Sequence, residues 1–203
     1  MYMALRNKSA YPQICLDLLS YMREKLPDYL TYHSIDHIID VANVCDDYIK
    51  YYEISDAHAK LNRIAAISHD LGFIGSPKEH EERSILQIRP LLVDILDDTE
   101  IEAINGMIRA TKVPQKPKTF FEEIIADADL DYLGRDDYDV LSFGLYEELL
   151  YYDMIKTDEE WLDLQITFLE NHRYHTSYAK EHRLAKKTEK MEELKAQRLK
   201  LKS

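Results

Sequence analysis

His37, His69, Asp70, Asp127 and Asp129 are the residues whose types and spacing could do chemistry in this 203-residue chain. His69 and Asp70 sit side by side near the end of its most apolar stretch, Ile64-Ala65-Ala66-Ile67-Ser68-His69-Asp70-Leu71-Gly72. Burying an imidazole next to a carboxylate is costly unless the two are paired or bound to a metal. Each of the five falls within helical apolar spacing, and the five come from three separate stretches. Two imidazoles with two carboxylates suit a borderline divalent ion such as Mn, Fe, Co, Ni or Zn, and suit Mg less well. The plain alternative is that each is a core residue satisfied by its own neighbours. That alternative is adequate for His37 alone. It is a poor account of the adjacent His69-Asp70 pair, and poorer still for the whole set.

The elements that must position these residues read as helices. Apolar residues recur at three- and four-residue steps over 11–26, with Pro27 and Asp28 as a stop. A second helix is expected from Ile35 to Tyr52, capped by Ser34 or Asp36, with His37, Val41, Val44 and Tyr48 on one face. A third is expected from Ala57 to Leu71, followed by the breaker-rich Gly72-Phe73-Ile74-Gly75-Ser76-Pro77. Residues 79–96 form a helix that Pro90 kinks or splits. Asp98 or Thr99 caps a helix over 100–111, residues 112–118 link, and Phe120 to Leu133 is again helical. Two more amphipathic helices cover 138–155 and 159–172, and a long charged one runs from Thr176 to about Leu201. No stretch alternates strictly enough for a strand. The expectation is an all-α bundle of seven to nine helices, with one domain over 1–175 and a basic C-terminal helix over 176–203, part of that domain or appended to it.

Composition narrows the function classes. The chain is 45% hydrophobic and 32% charged, with 5 Gly and 6 Pro, as expected of a folded soluble protein with long helices. No apolar window approaches the ~20 residues of a membrane span. The first residues lack a signal-peptide core, and Cys15 and Cys45 lie among apolar helical positions, so a cytoplasmic protein with two core thiols is expected. Net charge is −12, yet residues 180–203 carry nine Lys/Arg and four Glu. An acidic body argues against nucleic acid as the main partner. The basic tail could meet an acidic neighbour, but the simpler reading is a solvated helix of Glu/Lys pairs.

Three motifs together resemble a known family. Tyr32-His33-Ser34-Ile35-Asp36-His37-Ile38-Ile39-Asp40-Val41 is similar to the Y-H-x-x-x-H-x-x-x-V opening of HD-domain metal-dependent phosphohydrolases. Ile67-Ser68-His69-Asp70-Leu71-Gly72 resembles their His-Asp motif, and Ile125-Ala126-Asp127-Ala128-Asp129-Leu130 their distal aspartate motif. The match covers roughly residues 30–135. It implies an all-α core holding one divalent metal through His37, His69, Asp70 and a distal aspartate. Within the resemblance Asp129 is favoured, with Asp127 the runner-up. His33 matches the proton-donating histidine of the cyclic-nucleotide phosphodiesterases, which share the Y-H-x-x-x-H opening, and an imidazole can carry a proton near neutral pH. A loop histidine with no role fits the same position equally well. Glu81 and Ser84 match an E-x-x-S element in related members, where Glu81 would orient a metal water or a ligand imidazole.

The activity implied is hydrolysis of a phosphomonoester or phosphodiester, of the nucleotide class, by a metal-activated water. Arg109, Lys112, Arg173 and Lys180 are candidates to neutralise the phosphate. Each is equally readable as solvated surface charge. Partners are then a small phosphorylated substrate and no membrane, and a homo-oligomer is compatible. The alternative is a non-hydrolytic HD module that binds metal or nucleotide and regulates a partner. A two-metal arrangement in this family needs further histidines between the His-Asp pair and the distal aspartate. Only His80 lies there, so one metal is expected, with Glu79 or Glu81 leaving room for a weaker second.

Overall fold

The structure is a computed structural model that describes residues 3–201. Among these residues there are ten α-helices and no strand. The chain divides into two compact units. The first takes the residues up to Asp28 together with His33–Asp129, and the second takes Tyr29–Tyr32 with the residues from Leu130 onward. No helix is long and apolar enough to cross a membrane.

The first unit contains α1 (Gln13–Lys25), α2 (Ile35–Tyr51), α3 (Asp56–Ser68), α4 (His80–Leu92), α5 (Asp98–Ala110) and α6 (Phe120–Asp129). α3 is central and packs against α1, α2, α5 and α6. Its Ile64, Ala65, Ala66 and Ile67 are wholly buried. The small alanines let α2 and α5 come close, while the isoleucines fill the space between helices. The α2 stripe is as expected: His37, Val41, Val44 and Tyr48 are all buried, and Ile38, Ala42 and Cys45 beside them are buried too. Ser34 caps α2, its hydroxyl accepting from the His37 amide at 3.4 Å. His37 therefore sits one turn into a helix whose start is pinned.

Several boundaries differ from expectation. The helix expected over 138–155 ends at Tyr151. α3 ends at Ser68 and not at Leu71, so His69 and Asp70 lie in the turn beyond it. Asp70 adopts φ −103°, ψ 10°, a sparsely populated region where active-site residues are often found. α5 is capped by Asp97, in place of Asp98 or Thr99, through a reciprocal capping box with Glu100. α6 stops at Asp129, and a 3₁₀ turn over Asp131–Gly134 follows. Pro90 falls in the last turn of α4, which ends at Leu92.

The second unit contains α7 (Tyr138–Tyr151), α8 (Asp158–Asn171), α9 (Ser177–His182) and α10 (Leu184–Leu201). The long terminal helix is thus broken at Arg183, which raises the helix count above the expected seven to nine. A Cβ at Gly134 would run into the Arg183 backbone, so the glycine permits this break to nestle against the 3₁₀ turn. Several cations of the C-terminal segment, among the described residues, are paired within the unit. Arg183 meets Asp131 at 2.8 Å, Lys190 meets Asp139 at 3.0 Å, Lys195 meets Glu170 at 3.0 Å and Arg198 meets Asp163 at 2.7 Å. Exposed pairs of this kind contribute little each. They do account for the basic composition as the complement of acidic neighbours on α7, α8 and the 3₁₀ turn.

Candidate metal centre

His37 reaches the site from the first turn of α2, His69 and Asp70 from the turn after α3, and Asp129 from the last residue of α6. All four belong to the first unit. His37 Nε2 lies 3.4 Å from Asp70 Oδ2 and 3.3 Å from Asp129 Oδ1. His69 Nε2 lies 3.2 Å from Asp70 Oδ2 and 3.6 Å from Asp129 Oδ1. His69 and Asp70 are almost fully buried, and Asp129 is slightly exposed. His37, His69 and Asp70 each turn one donor atom into a common space small enough to hold a metal ion.

Three observations fit these donors to a cation. Donors bound at about 2.1 Å stand roughly 3.0–3.5 Å apart around an ion, close to the 3.2–3.6 Å that separates each imidazole from each carboxylate. His69 Nε2 and Asp70 Oδ2 are buried and make no hydrogen bond of normal geometry, an expensive state for polar atoms facing one another. His69 Nδ1 lies 2.9 Å from the Ala66 carbonyl oxygen. A carbonyl only accepts, so Nδ1 carries a proton and Nε2 is the atom turned inward, free to ligate once its own proton is displaced.

Charge has the same sense. Burial opposes protonation of His37, but Asp129 and Asp70 outweigh it and raise its pKa to about 9. His69 is likewise raised despite burial, chiefly by the charge of Asp70. Burial opposes ionisation of Asp129, yet His37 and His69 hold its pKa down at about 2. Asp70 is held well below the usual carboxylate range by His69 and His37, against its own burial. Without metal the pocket therefore stores protons on imidazoles that a metal must displace.

The turn bearing His69 and Asp70 is clamped from α4. Ser84 Oγ donates to the His69 carbonyl at 2.6 Å and accepts from the Gly72 amide at 2.8 Å. Arg83 donates to the Gly72 carbonyl at 3.2 Å. Ser84→Ala removes both Oγ bonds from a buried turn, at about 1–3 kcal/mol for each group left unpaired. The expected result is a lower melting temperature and roughly tenfold weaker metal binding, read by thermal melts and a metal titration.

Of the two distal aspartates, Asp129 meets the imidazoles. Asp127 is wholly buried and, two residues earlier on the helix, points about 200° away. His33 lies beside the cluster, its ring 6.0 Å from that of His37 and stacked at 4.0 Å on Phe73. Of the phosphate candidates, Arg109 and Lys112 belong to the first unit. Arg109 is held by Glu82 at 2.8 and 3.2 Å. Lys112 is exposed. Arg173 and Lys180 belong to the second unit and donate to the carbonyls of His172 (2.9 Å) and His175 (2.6 Å).

His80 is the site residue that sequence reasoning undervalued. Its Nε2 lies 3.4 Å from Asp70 Oδ1 and 3.6 Å from Glu81 Oε1. A Cβ at Gly72 would collide with the His80 carbonyl. This glycine therefore lets the start of α4 press onto the metal turn. The signal was present as Gly72 followed by Pro77 and His80-Glu81, but a lone histidine at a helix start carries little weight by spacing alone.

No family model matches the chain, and no curated protein does. Among solved structures, a crystal structure of a Lactobacillus plantarum protein is 16% identical, with a TM-score of 0.61. The match covers 93% of this chain and 98% of that one. At this identity the likeness shows the fold. The all-helical architecture, together with a buried His37-His69-Asp70 group able to hold a metal ion, is compatible with an HD-like domain.

Proposed function

We propose that the chain is an HD-domain phosphohydrolase that uses one divalent metal to hydrolyse a phosphomonoester or phosphodiester of the nucleotide class. The observation that carries this reading is the convergence of His37, His69, Asp70 and Asp129, from three helices, on one small buried space. The ester and its nucleotide class rest on the resemblance of the three motifs.

His37, His69, Asp70 and Asp129 would hold the ion. When bound, it would lower the pKa of a coordinated water toward neutrality and polarise a phosphoryl oxygen. The remaining steps belong to the chain. The Ala66 carbonyl keeps the His69 proton on Nδ1, away from the site. Asp70 and Asp129 offset the positive charge in a place where water is scarce. Ser84 fixes the backbone that aims His69 and Asp70. His33, which stacks on Phe73, would give a proton to the leaving oxygen.

The test is a panel of aryl phosphates, 5′-nucleotides, nucleoside triphosphates and cyclic nucleotides, with Mn, Co, Ni or Mg added to metal-stripped protein. Turnover that requires metal and vanishes in the His69→Ala, Asp70→Ala double variant is expected. Metal-independent turnover, or turnover surviving in that variant, would overturn the proposal. Tight metal binding with no turnover of any ester would favour the non-hydrolytic module.

A further inference from the structure

The first unit carries a cavity that the metal centre does not use. Its volume is about 940 Å³, a size common among small-ligand sites, which run from roughly 300 to 1,000 Å³. The apolar lining comes from Ile14 and Leu18 of α1, Leu91 of α4, Ile95 just beyond it, and Leu71 and Ile74 of the 3₁₀ turn Leu71–Ile74. Leu18 and Leu71 are buried, whereas Leu91 and Ile95 are each 50% exposed. Contiguous apolar surface left facing water marks a binding site. Leu71 directly follows Asp70, so one wall of this cavity is the turn of the metal centre.

The charged lining is sparse. Lys60 of α3 is the one Lys or Arg in it, and Asp17 of α1 the one acid, among the described residues. Lys60 is half-buried and makes no hydrogen bond or ion pair among those residues. An ammonium without an acid partner is a ready donor to an anionic head group. Asp17 is already engaged, since Gln13 Nε2 donates to its Oδ1 at 2.8 Å.

We infer that this cavity binds an amphipathic alkyl carboxylate, with the chain on the aliphatic lining and the carboxylate on Lys60. Charge selects the head group. One unpaired cation matches one negative charge. A phosphate dianion would bring a second charge with only Asp17 near it, and a cationic head would meet Lys60. A second copy of this chain is the competing occupant. A symmetric pair would set the same concave face against itself, which leaves both cavities unfilled. The inference is independent of the proposed hydrolysis, because no lining residue is one of the four metal donors.

The experiment is a calorimetric titration of the full-length protein with decanoate, beside decanol and decyltrimethylammonium of equal chain length. One decanoate per chain is expected, bound about tenfold tighter than either companion, as a charged hydrogen bond supplies. Lys60→Met is expected to remove that tenfold and to leave decanol unchanged. Leu91→Asp, at an exposed position, is expected to weaken decanoate and decanol alike. Circular dichroism checks that both variants fold. No decanoate binding overturns the inference, as does binding unchanged in both folded variants, or equal affinity for the three compounds. A dimer in sedimentation velocity that Leu91→Asp dissociates and decanoate does not would assign this face to a second copy and overturn it too.

Discussion

Replacing His69 with alanine is expected to weaken divalent-metal binding by more than about a hundredfold. Changing a residue that merely supports a ligand typically costs 10–100-fold, and His69 is placed as a direct donor. Its Nε2 is buried, lacks a hydrogen bond and faces two carboxylates. Its Nδ1 proton is already committed to the Ala66 carbonyl. Alanine removes a donor that no neighbouring residue can replace, because Asp70 and Asp129 already contribute theirs. Phosphoester turnover should fall to the background of metal-free protein. Equilibrium dialysis against Mn²⁺ with wild type and variant checks the binding. Near-equal affinity in the two would show that His69 is only a core residue paired with Asp70.

The second large effect is on pH. The His37 pKa of about 9 means that this ring is charged near neutrality in the metal-free pocket, and Asp70 and Asp129 push His69 in the same direction against its burial. A metal needs both rings neutral. Affinity is therefore expected to climb with pH, by up to about tenfold per unit for each imidazole displaced, flattening as pH passes about 9. The metal-free protein should behave in the opposite way. His37 has a raised folded pKa, so its contribution to stability is complete below its ordinary value near ~6.5 and is lost as pH rises through about 9. Asp129 has a lowered folded pKa, so its contribution is present above ~4 and is lost as pH falls through about 2. The gain in melting temperature on adding metal should thus widen between pH 6.5 and 8.5. Calorimetry in buffers of different ionisation enthalpy should show protons released on binding. A binding constant independent of pH across that range would contradict the paired-imidazole account.

The parts of this account that were legible in the sequence are those in which local pattern and tertiary position coincide. His37 lies on the α2 stripe, and the stripe faces the core, so its burial followed from spacing. That only one of Asp127 and Asp129 meets the imidazoles follows from a helix expected over 120–133, since residues two apart point about 200° away from each other; the preference for Asp129 comes from the resemblance alone. The placement of His69 and Asp70 beyond the end of α3 was not legible. Apolar periodicity runs on to Leu71, while the turn after Ser68 is held by the Ser84 hydroxyl, twelve residues past Gly72. The break at Arg183 likewise depends on Gly134, some fifty residues away. His80 was undervalued for the same reason: its approach to Asp70 is made by the close packing of two backbones at Gly72. The charged C-terminal segment reads in the sequence as a solvated helix of Glu/Lys pairs, and several of its cations meet acids elsewhere in the second unit, Asp131, Asp139, Asp163 and Glu170, which local spacing does not reveal.

The most direct test of the central claim is X-ray absorption of metal-stripped protein loaded with one equivalent of Co²⁺. The account predicts nitrogen and oxygen neighbours only, no sulfur, and the scattering signature of two imidazoles, which drops to one in His69→Ala. A spectrum unchanged by that substitution, or one showing only water and carboxylate oxygens in wild type, would contradict it.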